Sequence, residues 1–536
     1  MSTTCPLCVY HLEHLDKSEK ETCVSPGASE CQHSRSQPCD LCCRFAEGEQ
    51  RIQEAKAALL RALDDQRELG SELNERNDLL LGKLPVELAC RIFQLSVPPS
   101  LTLAEFREQL TVNSKLNFTS PKGLLKLGAI CRSWRRVAWS HPQLWSDIFI
   151  CSTPKIMSPS HITFIEEWIH RSGELPLNIF TELKDQFTEN TYLINTLINT
   201  LGTVAHRWAL FYAFSSLPAV YGEQLALQFR RATNVQGFAL QTANQWGRDA
   251  WGVGFAGRGD NLKFLYLSGH QQDVTLKCRN LTHFVGEYRT IGECVNVLRN
   301  APQILDCTIK STLDHDDRPA SLIHSIKSLN LCGSPDILQY LELPSLTGLV
   351  LSELPKSDSF SDVVLPFIVR SGCQLEAFTI SRQTDIIDDY SEFFRLNPSL
   401  KYLELQPHYD CEWALSRLGE LLSPHVNSSD QILPNLRSLT YVWTEIPSHI
   451  PWPTIHAVVQ PMSSQPNVVW RPLTEIHFVM GRMLKKPEEF LHLDDLERIQ
   501  ELASQGINFR ISAAKPAIDV IQACREYQRR LQESGE

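Results

Sequence analysis

Apolar residues along this chain recur with three spacings, and each spacing predicts a different element. From Glu47 to about Leu81, Ile52, Leu59, Leu69, Leu73 and Leu80 return near heptad intervals, with Ala55, Ala62 and Gln66 between them and mixed charge outside. That pattern predicts one long helix or a short coiled coil over residues 46–83. Only Gly70 interrupts it, at about 1 kcal/mol relative to alanine. Gln66 and Arg76 on the seam suit a solvated helix at least as well as a dimer. In the next segment, Pro85 suits a first helical position and Glu87 the positive helix start. Leu88 and Ile92, with Ala89 and Phe93, then make one apolar stripe at i, i+4 spacing. Further on, Leu127, Ile130, Cys131, Trp134, Val137 and Ala138 keep helical spacing while Arg132, Arg135 and Arg136 fall on the other side. The turn Pro142-Gln143-Leu144-Trp145 adds two large apolar side chains.

Beyond Ile150 the period changes to L-x-x-L-x-L with relaxed apolar identity. Copies occur at Val235/Phe238/Leu240, Leu262/Leu265/Leu267, Ile304/Cys307/Ile309, Ile326/Leu329/Leu331 and Leu346/Leu349/Leu351. They continue at Leu375/Phe378/Ile380, Leu400/Leu403/Leu405, Leu436/Leu439/Tyr441 and Leu473/Ile476/Phe478, with a degenerate copy at Leu281/Phe284/Gly286. Helical returns are expected at Val295–Arg299, Val363–Val369 and Ser391–Leu396, each followed by turn residues. Such a period is similar to irregular leucine-rich repeats, which place a short strand at each motif and stack the inward side chains into one continuous core. Strand alternation then points Leu400, Leu403 and Leu405 inward and leaves Tyr402 and Glu404 to face a target protein. The expected repeat region covers 151–482, and a helical cap with a short strand at Ile507–Ile511 covers 483–536.

The two helical pieces, Leu84-Pro85-Val86-Glu87-Leu88-Ala89-Cys90-Arg91-Ile92-Phe93 and Ile130-Cys131-Arg132-Ser133-Trp134-Arg135-Arg136-Val137-Ala138 running on to Leu144-Trp145, together resemble an F-box. The module would span 84–150, with an insertion near 97–123 between its two pieces. Such small helical modules hold too little apolar surface to stand alone. The resemblance implies docking on a Skp-type adaptor of a cullin ubiquitin ligase. The adaptor-binding set it implies is Leu84, Pro85, Leu88, Ile92, Phe93, Leu127, Ile130, Cys131, Trp134, Val137, Leu144 and Trp145. The expected fold class is therefore α/β: an N-terminal helix and helical F-box module followed by an irregular leucine-rich-repeat solenoid. The expected function is that of a non-enzymatic substrate receptor in such a ligase; the alternative is a repeat scaffold whose F-box-like helices pack inside the fold without ligase assembly.

Composition narrows the partners. With 43% hydrophobic and 21% charged residues the chain has a globular make-up, and its net charge of −11 excludes a general nucleic-acid binder, which needs clustered Lys and Arg. No signal-like N-terminus and no apolar run of about 18 residues appears, so membrane insertion is not expected and a cytoplasmic or nuclear location is. In that setting the sequons at Asn117, Asn280 and Asn427 carry no glycosylation, and the 17 cysteines stay thiols or bind metal. Residues 1–45 are polar and cysteine-rich. Cys5, Cys8, Cys39 and Cys42 form two C-x-x-C knuckles that either hold one structural zinc or remain a reduced loop. No other cofactor is expected. His11-Leu12-Glu13 with Pro38-Cys39-Asp40-Leu41-Cys42 matches a zinc-deaminase signature, but the surrounding segment holds no strand or core helix to bury a catalytic metal, which leaves a zinc enzyme as the weakest reading. Gly252-Val253-Gly254-Phe255-Ala256-Gly257 is a literal dinucleotide fingerprint that neither follows a buried strand nor opens a helix, and reads as a loop.

Overall fold

The computed structural model describes residues 40–534 except 79–80, 82, 114–115, 117–121, 153–157, 184–190, 216–223, 226, 243–258, 270–277, 313–318, 355–359, 384–389, 408–410, 423–431, 444–449, 460–470, 482–485, 487–489 and 514–517. The chain divides into two units, Met1–Thr102 with Asn117–Thr181, and Leu103–Leu116 with Glu182–Glu536. No helix among the described residues is long and apolar enough to cross a membrane. The loop Gly252–Gly257 lies outside the described residues.

The first unit is helical, with a short strand segment. Its helices are α1 (Asp40–Arg76), α2 (Val86–Ser96), α4 (Lys122–Ile130), α5 (Arg132–Trp139) and α6 (Pro159–Arg171); α3 (Leu103–Asn113) belongs to the other unit. Strand β1 (Asp147–Ser152) lies beside β2 (Leu177–Leu183), where the Asn178 amide donates to the Asp147 carboxylate at 2.8 Å. Burial raises the Asp147 pKa against the hydrogen bonds from Ser100 and Asn178.

The second unit is an array of strands, nearly all parallel, in which sequence neighbours are spatial neighbours. In order they are β3 (Trp208–Ser215), β4 (Gly237–Thr242), β5 (Phe264–Ser268), β6 (His283–Glu287), β7 (Asp306–Lys310), β9 (Ser328–Cys332), β11 (Gly348–Ser352), β12 (Ala377–Gln383), β13 (Tyr402–Pro407), β14 (Ser438–Trp443), β15 (Glu475–Met480), β16 (Asn508–Ala513) and the antiparallel β17 (Ile518–Asp519). A separate two-strand ladder joins β8 (Leu322–Ile323) to β10 (Leu341–Glu342). The last two positions of every L-x-x-L-x-L copy read from the sequence lie on one of these strands and the first lies two residues ahead of it, and register aligns their inward residues, as in Leu349 with Phe378, Leu403, Leu439, Ile476 and Phe509. Leu400, Leu403 and Leu405 are at most 4% exposed. The expected returns are helical: Ile291–Asn300 opens with a Thr290/Glu293 capping box, and Leu365–Ser371 and Tyr390–Leu396 follow β11 and β12.

Two backbone devices repeat along the array. At the start of a strand, one carbonyl accepts two N–H groups of the next strand's first residues, as Gln236 O does from Lys263 and Phe264, and Arg437 O from Thr474 and Glu475. Past the strand ends, Gly269, Tyr288, Ser311, Gly333 and Glu353 all have positive φ and donate their N–H to the end of the next strand. Glycine takes that conformation freely, whereas Tyr288, Ser311 and Glu353 take it at about 1–2 kcal/mol each, which the ladder offsets. Asparagines set the stacking at the turns: Asn234, Asn261, Asn280 and Asn435 each donate to a carbonyl one turn earlier in the array. Asn280, a sequon in the sequence, is thus a stacking residue.

The structure adds detail to the insertion and to the limits of the array. Helix α3, read as an insertion within the F-box segment 97–123, belongs with the strand array: Phe106 and Leu110 are fully buried and Phe106 meets Phe264 edge-on at 5.7 Å. Gly237 permits the approach, since a Cβ there would lie 2.9 Å from Leu103. The Lys310 ammonium donates to Thr111 O at 2.6 Å, and Arg107 lies against His283, whose Nε2 is 2.8 Å from the Asp306 carboxylate. Within the expected region 151–482, β3, where Trp208 and Phe211 are fully buried, continues the strand order without a clean motif. Strand β16, which overlaps the strand expected at Ile507–Ile511 within the cap, pairs in register with β15 and extends the array past residue 482.

Candidate functional site

Helix α2 begins where proline ends the preceding turn. Pro85 is the N-cap rather than the first helical residue, and its carbonyl accepts from Leu88 N at 3.1 Å and Ala89 N at 3.2 Å. Its apolar residues do not form the single stripe expected from spacing. Ala89 and Phe93 are fully buried, whereas Leu88, Ile92 and Leu95 are 52%, 40% and 72% exposed, and Val86 in the first turn is 51% exposed. Leu88, Ile92 and Leu95 follow i, i+4, i+7, so one helix carries a core face and an adjacent solvent-facing apolar face. Leu95 was absent from the expected site; its signal in the sequence was the same helical spacing carried one turn further.

The second piece is broken rather than continuous. Cys131 is extended at φ −157°, and its thiol accepts from Trp134 N as the cap of α5, so Leu127 and Ile130 lie on one helix and Trp134, Val137 and Ala138 on the next. A side chain at Gly128 would press on the Trp139 indole at 3.2 Å, and the Arg135 guanidinium donates to Gly128 O at 2.7 Å, which folds α5 back against α4. The Trp134 ring packs on Phe93 at 4.8 Å and donates to Asp78 at 2.9 Å. Trp145 donates to Ala138 O and accepts, through its own carbonyl, from the Trp168 indole. The Arg171 guanidinium sits 3.8 Å from the Trp139 ring centroid and 4.8 Å from that of Trp145, closing the edge of this cluster by cation–π attraction.

The expected adaptor set therefore separates by position. Phe93, Leu127, Cys131, Leu144 and Trp145 form the module's own core, and their side chains are not on its surface. Leu84, Ile130, Trp134 and Val137 are half-buried, and Pro85, Leu88 and Ile92 are exposed. Helix α1 is attached by Glu68 pairing with Arg132 and by the Asn74 amide donating to Ile130 O at 2.7 Å. The Cys90 thiol is raised by burial and by Glu87, so it stays protonated and unreactive. Among the described residues no group of His, Cys, Asp and Glu could hold a metal ion, and Cys5, Cys8 and Cys39 lie outside the described residues, as does the Cys42 side chain.

On the strand array, Tyr402 is 52% exposed and Glu404 is half-buried, on the face opposite Leu403. Register sets Glu404 in one row with Asn330, Val350, Thr379, Thr440, His477 and Arg510. Sequence reading named only two members of this face, although the middle residue of every L-x-L marks the row. Burial raises the pKa of the Glu404 carboxyl and lowers that of the His477 imidazole.

What this arrangement can do is bind: it presents an apolar helix face on a rigid aromatic core and, separately, a row of polar side chains on strands. No curated protein matches the chain. Residues 81–151 match the F-box-like family, so the chain carries an F-box-like domain.

Proposed function

We propose that this chain is a non-enzymatic substrate receptor of a Skp/cullin/F-box type ubiquitin ligase. The observation that carries the reading is the exposed face of Leu88, Ile92 and Leu95 on α2, whose opposite face is the core of the F-box-like domain. A Skp-type adaptor helix covers that face, and the strand array, an irregular leucine-rich-repeat solenoid in this reading, presents Tyr402, Glu404 and their row to a target protein. Ubiquitin transfer then follows from holding the target near a charged partner, an effect of effective concentration rather than of bond chemistry in this chain.

The test is affinity capture with the full chain and with Leu88→Asp/Ile92→Asp. Both positions tolerate a carboxylate in the free protein, but an unpaired charge in a desolvated interface costs several kcal/mol, so adaptor and cullin recovery should drop roughly a hundredfold or more. Full recovery with the variant assigns the adaptor to another face; no adaptor with the natural chain favours a scaffold without ligase assembly.

The N-terminal knuckles enter the proposal as a structural zinc site of Cys5, Cys8, Cys39 and Cys42. Four such ligands complete one tetrahedral shell, so the protein should carry about one zinc per chain, released by Cys39→Ser/Cys42→Ser. Elemental analysis of protein purified under reducing conditions decides it, and zinc-free protein removes the site.

A further inference from the structure

Helix α1 runs for 37 residues, about 55 Å at 1.5 Å per residue, and leaves its large apolar side chains in water. Phe45, Ile52, Leu59, Leu69 and Leu73 are 51–65% exposed, and all fall at the a and d positions of a single heptad frame whose remaining seam positions are Gly48, Ala55, Ala62, Gln66 and Arg76. The residues that fasten α1 to the F-box-like domain, Glu68 and Asn74, lie off that seam. A helix this long, with such a stripe, is stable when a second helix covers it.

We propose that the occupant is α1 of a second copy of this chain, packed antiparallel. Size and charge select both the partner and its direction. In the antiparallel register centred between Leu60 and Arg61, Leu73 meets Gly48, Leu59 meets Ala62 and Gln66 meets Ala55, each a larger residue against a small one, while Ile52 meets Leu69 as an apolar pair. Phe45 meets Arg76, a cation on an aromatic face. Beside the seam, Arg51 comes opposite Glu72. A parallel pairing stacks like on like: Gly48 on Gly48 and Ala55 on Ala55 leave voids, Arg76 falls on Arg76, and Arg51 falls beside Lys56. The self-pairing brings two F-box-like domains into one assembly.

Sedimentation of the full chain tests it. The mass should be twice 60.9 kDa at micromolar concentration. Leu59→Asp/Leu69→Asp should give monomers with undiminished adaptor capture. A second pair keeps the proposal exposed even if that variant misfolds: Arg51→Glu should weaken the dimer roughly tenfold, by setting two carboxylates together at each end, and adding Glu72→Arg should restore it. A monomer throughout, or a dimer indifferent to the Asp pair, overturns the proposal. So does tightening by Arg51→Glu, the result a parallel pairing beside Lys56 requires.

Discussion

Phe93→Ala should unfold the F-box-like domain while leaving the strand array intact. Phe93 is fully buried, packs on Trp134 at 4.8 Å and shares its helix face with the buried Ala89. Truncating such a ring removes its transfer energy and leaves a cavity between α2 and α5, a loss of about 3–5 kcal/mol. A domain built from a few short helices has little stability beyond that. Circular dichroism should lose a low-temperature transition, and limited proteolysis should open sites within residues 122–145. Ile92→Ala, one residue away but 40% exposed, should leave both readouts unchanged. Adaptor loss in a Phe93 variant would therefore report unfolding, and only Leu88 and Ile92 variants report the surface. Equal sensitivity of Ile92 and Phe93 to proteolysis would refute the division of α2 into a core face and a free face.

Leu403→Asp should collapse the array around β13. Leu403 is 2% exposed and lies in register between Phe378 and Leu439. The substitution forfeits about 1.5–3 kcal/mol of apolar burial and adds an unpaired carboxylate in the interior, worth several more. Tyr402→Ala with Glu404→Ala should leave the melting temperature nearly unchanged and alter only bound targets. The Glu404 carboxyl adds a pH signature. Burial raises its pKa in the folded state, so its ionised form is disfavoured there, and the penalty is absent at low pH and grows as pH rises through the ordinary carboxylate value and the raised one. Glu404→Gln should accordingly stabilise the protein slightly at pH 7 and not at pH 3. A destabilised Tyr402/Glu404 variant beside a folded Leu403→Asp would mean that the strand faces are assigned backwards.

Much of this was legible in the sequence because burial on a strand leaves a period. Leu400, Leu403 and Leu405 were named as inward and are buried, and the returns read at Val295–Arg299, Val363–Val369 and Ser391–Leu396 from apolar runs ending at turns fall on or overlap the helices Ile291–Asn300, Leu365–Ser371 and Tyr390–Leu396. β3 escaped because Trp208, Phe211 and Ala213 are large and small residues without a leucine motif, though they fill the same inward positions. The asparagine steps at Asn234, Asn261, Asn280 and Asn435 escaped because their partners are backbone carbonyls, which no side-chain pattern marks.

The sequence by itself determined which residues leave water: the leucines of the array, the aromatic residues of the F-box-like domain, and the start of α2 at Pro85. Periodicity states that a side chain needs cover and is silent about what supplies it. Only the tertiary structure decided that Phe93 turns inward while Ile92, its neighbour, turns out. The same holds for Cys131, which breaks a helix that spacing alone would continue, and for Phe106 and Leu110, which carry α3 onto the strands beside Gly237. Each of these outcomes depends on which surface lies opposite, a relation between segments distant in the chain, and burial energy is the same for a given side chain whichever surface excludes the water.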